Sequence, residues 1–217
     1  RATLHNFAEI KRLDIRIGDM VLLHRAGDVI PKVSEVNLSK RTGLEKIVSL
    51  PTNCPSCNSL LHILPDDVII RCDNGLSCPT QLVRSIIHFA SKDALNIDGL
   101  GAKQIEFLQA VGFINNPVDI FFLEEKNSQS LTKLENMSGW GARSVENLFN
   151  SIKEAKRTTL ARFIYSLGIR QIGQSNAKIL AKEFGSVKNF INSMLLLAEG
   201  DEEKYYQLRS LEGFADK

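Results

Sequence analysis

Four cysteines are the residues of this 217-residue chain with the clearest capacity for chemistry. Cys54-x2-Cys57-x14-Cys72-x5-Cys78 is two pairs separated by a loop, the spacing by which four thiolates surround a tetrahedral Zn²⁺. The two-residue gap in Cys54-Pro55-Ser56-Cys57 lets both sulfurs turn toward one point about 2.3 Å away. Two disulfides or four free thiols are the alternatives; the lack of a secretory signal and the use of every cysteine in one ligand-spaced set favour the metal. A redox role for the first pair fits less well, because thioredoxin-type pairs stand alone in a βαβ context. Four protein ligands leave no open coordination position, so the ion is expected to be structural and not a water activator. His62 lies between the pairs as an alternative ligand, although a solvated or packed histidine is the simpler reading.

A second feature is a short recurring phrase: Ile97-Asp98-Gly99-Leu100-Gly101, then Met137-Ser138-Gly139-Trp140-Gly141, a looser Ile169 to Gly173, and Leu211-Glu212-Gly213-Phe214-Ala215. Each joins helix-forming stretches by a turn in which glycine allows positive φ and close approach of another backbone. The following helices are expected to start near Ala102 and Ala142. Amides exposed at a helix N-terminus, with the positive end of the macrodipole, form an anion site, and a nucleic-acid backbone is the polyanion read this way. Lys103 and Arg143 hold equivalent places two residues after the second glycine. The alternative is that Gly-x-Gly only packs helices closely. In the third copy Gln171 replaces the first glycine, and in the fourth Ala215 replaces the second, so packing is the expectation there. From Lys153 to Lys182 seven basic residues, Arg170 among them, meet one acidic residue, Glu154. Such a run suits phosphate tracking, or is a solvated helix face.

The elements that position these groups fall into three zones. Residues 1–50 carry nine Lys or Arg against six Asp or Glu, and Ile15 to Val33 alternates aliphatic clusters with Gly18-Asp19 and Gly27-Asp28, a strand–turn–strand pattern. Glu9 to Leu13 is a short helix candidate. Residues 51–81 hold all four cysteines, are poor in large apolar groups and need a staple to fold. From Leu82 onward apolar residues recur at spacings of three and four, as in Leu160, Phe163, Ile164 and Leu167, so residues 82–217 read as nearly all helix. The phrase repeats at intervals of roughly 30 to 40 residues, an internal repeat.

Bulk composition excludes more than it assigns. Hydrophobic residues at 43% and charged residues at 24% argue against a disordered or fibrous protein. No apolar run approaches the roughly 20 residues of a spanning helix, and no signal segment opens the chain, so a cytoplasmic protein without membrane contact is expected. A net charge of +2 is too small to announce a nucleic-acid binder by itself. Arg1 to Asn6 reads as the middle of a domain, so the chain is expected to be a fragment.

With these pieces placed, the chain resembles the C-terminal half of bacterial NAD-dependent DNA ligases. The residues that carry the resemblance are Arg1-Ala2-Thr3-Leu4-His5-Asn6, Ile17-Gly18-Asp19, Arg25-Ala26-Gly27-Asp28-Val29-Ile30-Pro31, the four-cysteine spacing, Ile97 to Gly101, and Leu167-Gly168-Ile169-Arg170. It implies a multidomain α+β protein: a partial, N-terminally incomplete OB-fold β-barrel over 1–50, a small four-cysteine zinc finger over 51–81, and a mostly helical helix-hairpin-helix domain over 82–217. It further implies that Arg25, Val29 and Ile30 contact DNA at the minor groove beside a nick. A cation at a turn followed by apolar Val29 and Ile30 can supply one backbone contact and a wedge; ordinary strand core is the alternative for the two apolar residues.

The implied activity is sealing of nicks in duplex DNA during replication and repair, with NAD⁺ and Mg²⁺ used by the full-length enzyme mainly outside this segment and Zn²⁺ structural within it. The family's adenylated lysine lies in a Lys-x-Asp-Gly phrase, and nothing here supplies it: the only Asp-Gly pair, Asp98-Gly99, is preceded at two residues by Asn96. No catalytic residue is therefore expected in this chain, which alone should bind nicked DNA, as a monomer associated with the bacterial nucleoid, and not ligate it. The expected contacts are Arg25, Val29, Ile30, Gly99, Gly101, Lys103, Gly139, Gly141, Arg143 and Arg170. The rival readings are another helix-hairpin-helix repair protein, such as a glycosylase, and a non-catalytic interaction scaffold.

Overall fold

The computed structural model describes residues 1–25, 30–62 and 69–214. The chain divides into two compact units, Arg1–Pro79 and Thr80–Lys217.

Unit one begins with helix α1 (Phe7–Leu13), started by Asn6, whose side chain accepts from the Glu9 amide, and stopped by Asp14 in the left-handed region. Strand β1 (Arg16–Ile17) pairs antiparallel with β4 (Lys46–Ile47), and β2 (Val21–His24) with β3 (Lys32–Val36), in the register Val21↔Val36 to His24↔Lys32 with an irregularity between Leu22 and Leu23. The strand–turn–strand expectation thus holds for β2 and β3. Among the described residues these ladders do not join into a closed barrel. Ladders this short bury little: in the first 50 residues Val33 is the one buried aliphatic described, whereas Ile17, Leu44 and Ile47 are 66%, 84% and 75% exposed.

Polar groups do much of the fastening. The Asp19 carboxylate accepts from the Arg16 amide and from Arg41 Nε and Nη2, each at 2.8 Å, while Arg41 Nη1 reaches Asp14 at 2.8 Å. The Arg41 guanidinium, with help from the Arg16 amide, holds the Asp19 carboxyl down to about 2.

Unit two is helical. After α2 (Pro79–Ala90), whose first residue closes unit one, come α3 (Ala102–Ala110), α4 (Leu123–Gln129), α5 (Ala142–Ala155), α6 (Leu160–Ser166), α7 (Gln174–Phe184), α8 (Val187–Ala198) and α9 (Glu202–Arg209). The starts are set by side-chain caps where the sequence offers them: Thr159, Ser186 and Asp201 accept from first-turn amides of α6, α8 and α9. Two separate cores result. One gathers Ile86, Ile97, Ile105, Leu108, Val145 and Leu148 from α2, the first turn, α3 and α5. The other gathers Ile164, Ala177, Leu180, Phe184 and Phe190, with Leu208, Leu211 and Phe214 packed against it. Each core therefore joins two of the four glycine-type turns into a pair. No helix among the described residues is long and apolar enough to cross a membrane.

Candidate metal centre and nucleic-acid interface

The cysteine segment is built from two turns. Cys54 donates its amide to the Ser59 carbonyl at 2.8 Å, and its carbonyl accepts from the Asn58 amide at 2.9 Å, with Asn58 at φ +59 closing the knuckle. Strand β5 (Leu61–His62) pairs with β6 (Arg71–Cys72), and the 3₁₀ turn Gly75–Ser77 presents Cys78. None of the four cysteines is in a disulfide, Cys78 is 1% exposed, and all four sulfurs lie within 4.8 Å of one another. Two thiolates bound at about 2.3 Å to one tetrahedral ion stand about 3.8 Å apart, and Cys57 Sγ and Cys72 Sγ lie 3.5 Å apart. The disulfide alternative fails on this geometry, and the donor set fits zinc. The Ser56 amide donates to Cys54 Sγ at 3.4 Å, and Ser59 Oγ lies 3.4 Å from Cys57 Sγ, so the sulfurs carry an outer layer of polar partners.

Electrostatics agree. Hydrogen bonds from Ser59, through its side chain and backbone, draw the Cys57 thiol down to about 6. A backbone contact at Asn74 lowers Cys72, but burial and the adjacent Cys57 and Cys54 sulfurs outweigh it and push that thiol up to about 11. Four sulfurs this close do not all ionise without a cation among them; a divalent ion supplies it, and would be held by Cys54, Cys57, Cys72 and Cys78. His62 pairs with Arg71 in the β5–β6 ladder and is no member of the cysteine cluster.

In unit two, α3 and α5 start at Ala102 and Ala142, where the sequence places them. Only the first glycine of each phrase needs its freedom: Gly99 and Gly139 sit at φ +87 and +84, whereas Gly101 (φ −73) and Gly141 (φ −147) are extended. The second glycine does something else. As the residue before the helix it has no side chain, and none caps the first turn of α3, α5 or α7. A Cβ on Gly141 would meet nothing within 4 Å, and one on Gly101 would meet only Gln104 Oε1 at 3.0 Å. Gly99, Gly101, Lys103, Gly139, Gly141 and Arg143 are all exposed, with Lys103 and Arg143 in the first turn of α3 and α5. Ser144 Oγ folds back on the start of α5, accepting from the Gly141 amide at 2.9 Å and donating to the Gly141 carbonyl at 2.8 Å, so the amides left for an anion there are those of the first turn itself.

The third turn has the same shape without the glycine. Gln171 stands at φ +64, its carbonyl accepts from Asn176 Nδ2 at 3.0 Å, and Gly173 precedes α7. Arg170 is exposed in this turn. In the fourth, Gly213 lies at φ +83 against Asn176, so turns three and four pack on one another; Ala215 lies outside the described residues. The basic run from Lys153 to Lys182 is not one surface. Arg162 is half-buried and bonded to carbonyls of residues 92 and 94, and Lys153 pairs with Glu124 at 3.0 Å.

In unit one, Arg25 is exposed at the end of β2, and Ile30 is 66% exposed just before β3. Ile30 is therefore not strand core; Val29 lies outside the described residues.

Comparisons with known proteins match three stretches of the chain. The model of the NAD-dependent DNA ligase OB-fold domain matches residues 1–45, that of the NAD-dependent DNA ligase C4 zinc finger domain matches residues 53–79, and a helix-hairpin-helix motif model matches residues 162–196. Over all 217 residues the chain is 59% identical to a DNA ligase of Rickettsia bellii (strain OSU 85-389) and 58% identical to one of Rickettsia rickettsii (strain Sheila Smith). It is 57% identical over the same span to a DNA ligase of Rickettsia canadensis (strain McKiel). The chain spans 32% of the length of each of these relatives.

Proposed function

We propose that this chain, with ligase-type OB-fold and C4 zinc-finger sequence in its first 79 residues and helix-hairpin-helix sequence behind them, is the part of an NAD-dependent DNA ligase that grips nicked duplex DNA. The observation that carries this reading is the repeated exposed turn, with a glycine before α3, α5 and α7 that lends no side-chain cap to the first turn and a basic residue near each: Lys103, Arg143 and Arg170. An oxygen of a phosphate seated on such a turn accepts from two or three backbone amides and is neutralised by the neighbouring cation. Contacts of this kind position a protein on the duplex without reading its sequence, which suits an activity that must act at any break. Arg25 and the apolar pair Val29 and Ile30 are assigned to the minor groove at the nick, where an exposed isoleucine gains by leaving water.

On this reading Cys54, Cys57, Cys72 and Cys78 hold Zn²⁺ as a staple for the finger over 51–81, which follows the OB-type segment (1–50) and precedes the hairpin domain (82–217) along the chain. Sealing a nick joins a 3′-hydroxyl to a 5′-phosphate that carries adenylate drawn from NAD⁺, breaking the pyrophosphate bond and releasing AMP, with Mg²⁺ as the cation that would assist. The lysine that would first take the adenylate from NAD⁺ is absent here, since no Lys-x-Asp-Gly phrase occurs. What this chain contributes is orientation, holding the two ends of the broken strand on one rigid duplex so that the reacting oxygens stay aligned. It would work as a monomer in the bacterial cytoplasm, at the nucleoid.

The test is binding of the zinc-loaded chain to a labelled nicked duplex between 50 and 200 mM salt. Four cations (Arg25, Lys103, Arg143, Arg170) engaging four phosphates give a slope of log affinity against log salt of about −3.6, roughly a 150-fold loss over that range. Incubation with NAD⁺ should leave the chain unadenylylated. Affinity indifferent to salt would overturn phosphate-led binding.

A further inference from the structure

Two residues that this reading leaves unused join the hairpin pairs to each other. Helix α6 leads into the third turn, and the bend at residues 91–96 leads into the first. Arg162, on α6, reaches that bend: its Nε donates to the Ala94 carbonyl at 2.7 Å and its Nη2 to the Lys92 carbonyl at 2.5 Å. Two donors on one edge of a planar guanidinium fix orientation as well as distance.

His88, on α2, reaches the opposite way. Its Nε2 lies 2.8 Å from the Tyr165 carbonyl, which makes that nitrogen the protonated one, and its ring meets the Tyr165 ring edge-on at 4.8 Å. The same ring lies against Gly168, where an added Cβ would stand 3.3 Å from His88 Cδ2. Each pair thus sends one side chain into the turn-bearing segment of the other. Within the one compact second unit, Arg162 and His88 thus tie segments belonging to two distinct apolar cores.

We propose that Arg162 and His88 are positioning residues for duplex binding, locking the two hairpin pairs at one spacing so that both grip the same sugar–phosphate backbone at once. The proposal rests on the DNA-binding reading and deepens it. Two weak grips linked together bind far more tightly than either alone only when the second is already held where its phosphates lie. A loose joint forfeits that gain, because the second pair must then be ordered at the moment of binding. Arg162 itself is not a phosphate ligand on this account, since its donors face protein carbonyls.

The test uses the zinc-loaded full chain and a labelled nicked duplex. Arg162→Lys keeps the charge but replaces the fork with a single ammonium. Its affinity should fall about tenfold or more and its salt dependence become shallower, with helical content and the melting transition of the second unit kept. A direct phosphate contact predicts instead that lysine binds like wild type, and that result overturns the proposal. In a Lys103→Ala/Arg143→Ala background, where the first pair grips more weakly, the loss caused by Arg162→Lys should shrink; an undiminished loss there also overturns it. Should position 162 not tolerate change, His88→Gln, which can still donate to the Tyr165 carbonyl, should keep the affinity that His88→Ala loses, and equal loss in both counts against the joint. Failure of the wild-type chain to bind is a different result and removes the DNA reading itself.

Discussion

Gly139 and Gly141 flank Trp140 in one turn, and replacing each by alanine should have opposite consequences. Neither new methyl meets an atom within 4 Å, so packing does not distinguish them. Backbone conformation does. Gly139 lies at φ +84, where an L-residue costs about 1–2 kcal/mol, which lowers the melting point of a unit this size by about 3–8 °C. Gly141 lies at φ −147, which alanine adopts freely. There the poorer helix start of alanine and the smaller entropy of its unfolded chain offset each other to within about 0.5 kcal/mol. The Gly141 methyl, however, stands beside the first-turn amides of α5, where a phosphate would sit. One charge-assisted amide contact is worth about 1.5–3 kcal/mol, so Gly141→Ala should weaken duplex binding about tenfold or more. Trp140, the single tryptophan, reports the local melting, and anisotropy of a labelled nicked duplex reports affinity. Loss of stability at both positions, or unchanged affinity in Gly141→Ala, would refute the division of labour between the two glycines.

The other predictions concern the parts that hold the turns in place. Leu148 is fully buried, so Leu148→Ala should destabilise the second unit by about 2–5 kcal/mol in denaturant titration. Chelating zinc under reducing conditions should expose residues 53–79 to protease and leave the helical circular dichroism largely unchanged, with re-addition of zinc restoring protection. The Asp19 carboxyl sits at about 2 in the folded chain against an ordinary 3.8. Its stabilising contribution is therefore complete above about 3.8 and lost as pH falls toward 2; Asp19→Asn should flatten the stability profile of the first unit in that window and lower stability at neutral pH.

What could be read from residues alone was whatever local chemistry decides. The β2–β3 ribbon follows from aliphatic clusters punctuated by Gly-Asp, the helix starts at Ala102 and Ala142 from the glycine phrase, and the four-sulfur cluster from ligand spacing. The third turn was harder to read, because Gln171 occupies a positive-φ position usually left to glycine; the Asn176 bond to its carbonyl compensates, and aligning Arg170 to Gly173 with the other copies was the only signal. Ile30 fits strand core and exposed wedge equally well as a residue type, and only its 66% exposure separates them. By sequence Arg162 is one more cation in a basic run. That it faces Ala94 and Lys92, some 70 residues earlier, is a product of helix packing that no spacing rule encodes. The Asp19–Arg41 bond, closing 22 residues, is likewise a product of the fold and not of local spacing.

The central claim, that backbone amides before the helices take hold of phosphates, is tested most directly by amide chemical shifts of the isotope-labelled chain titrated with nicked duplex. The account predicts that the largest changes fall on residues 101–104, 141–144 and 173–176, fading together as salt is raised. Binding that leaves these amides unmoved while shifts gather elsewhere would contradict it.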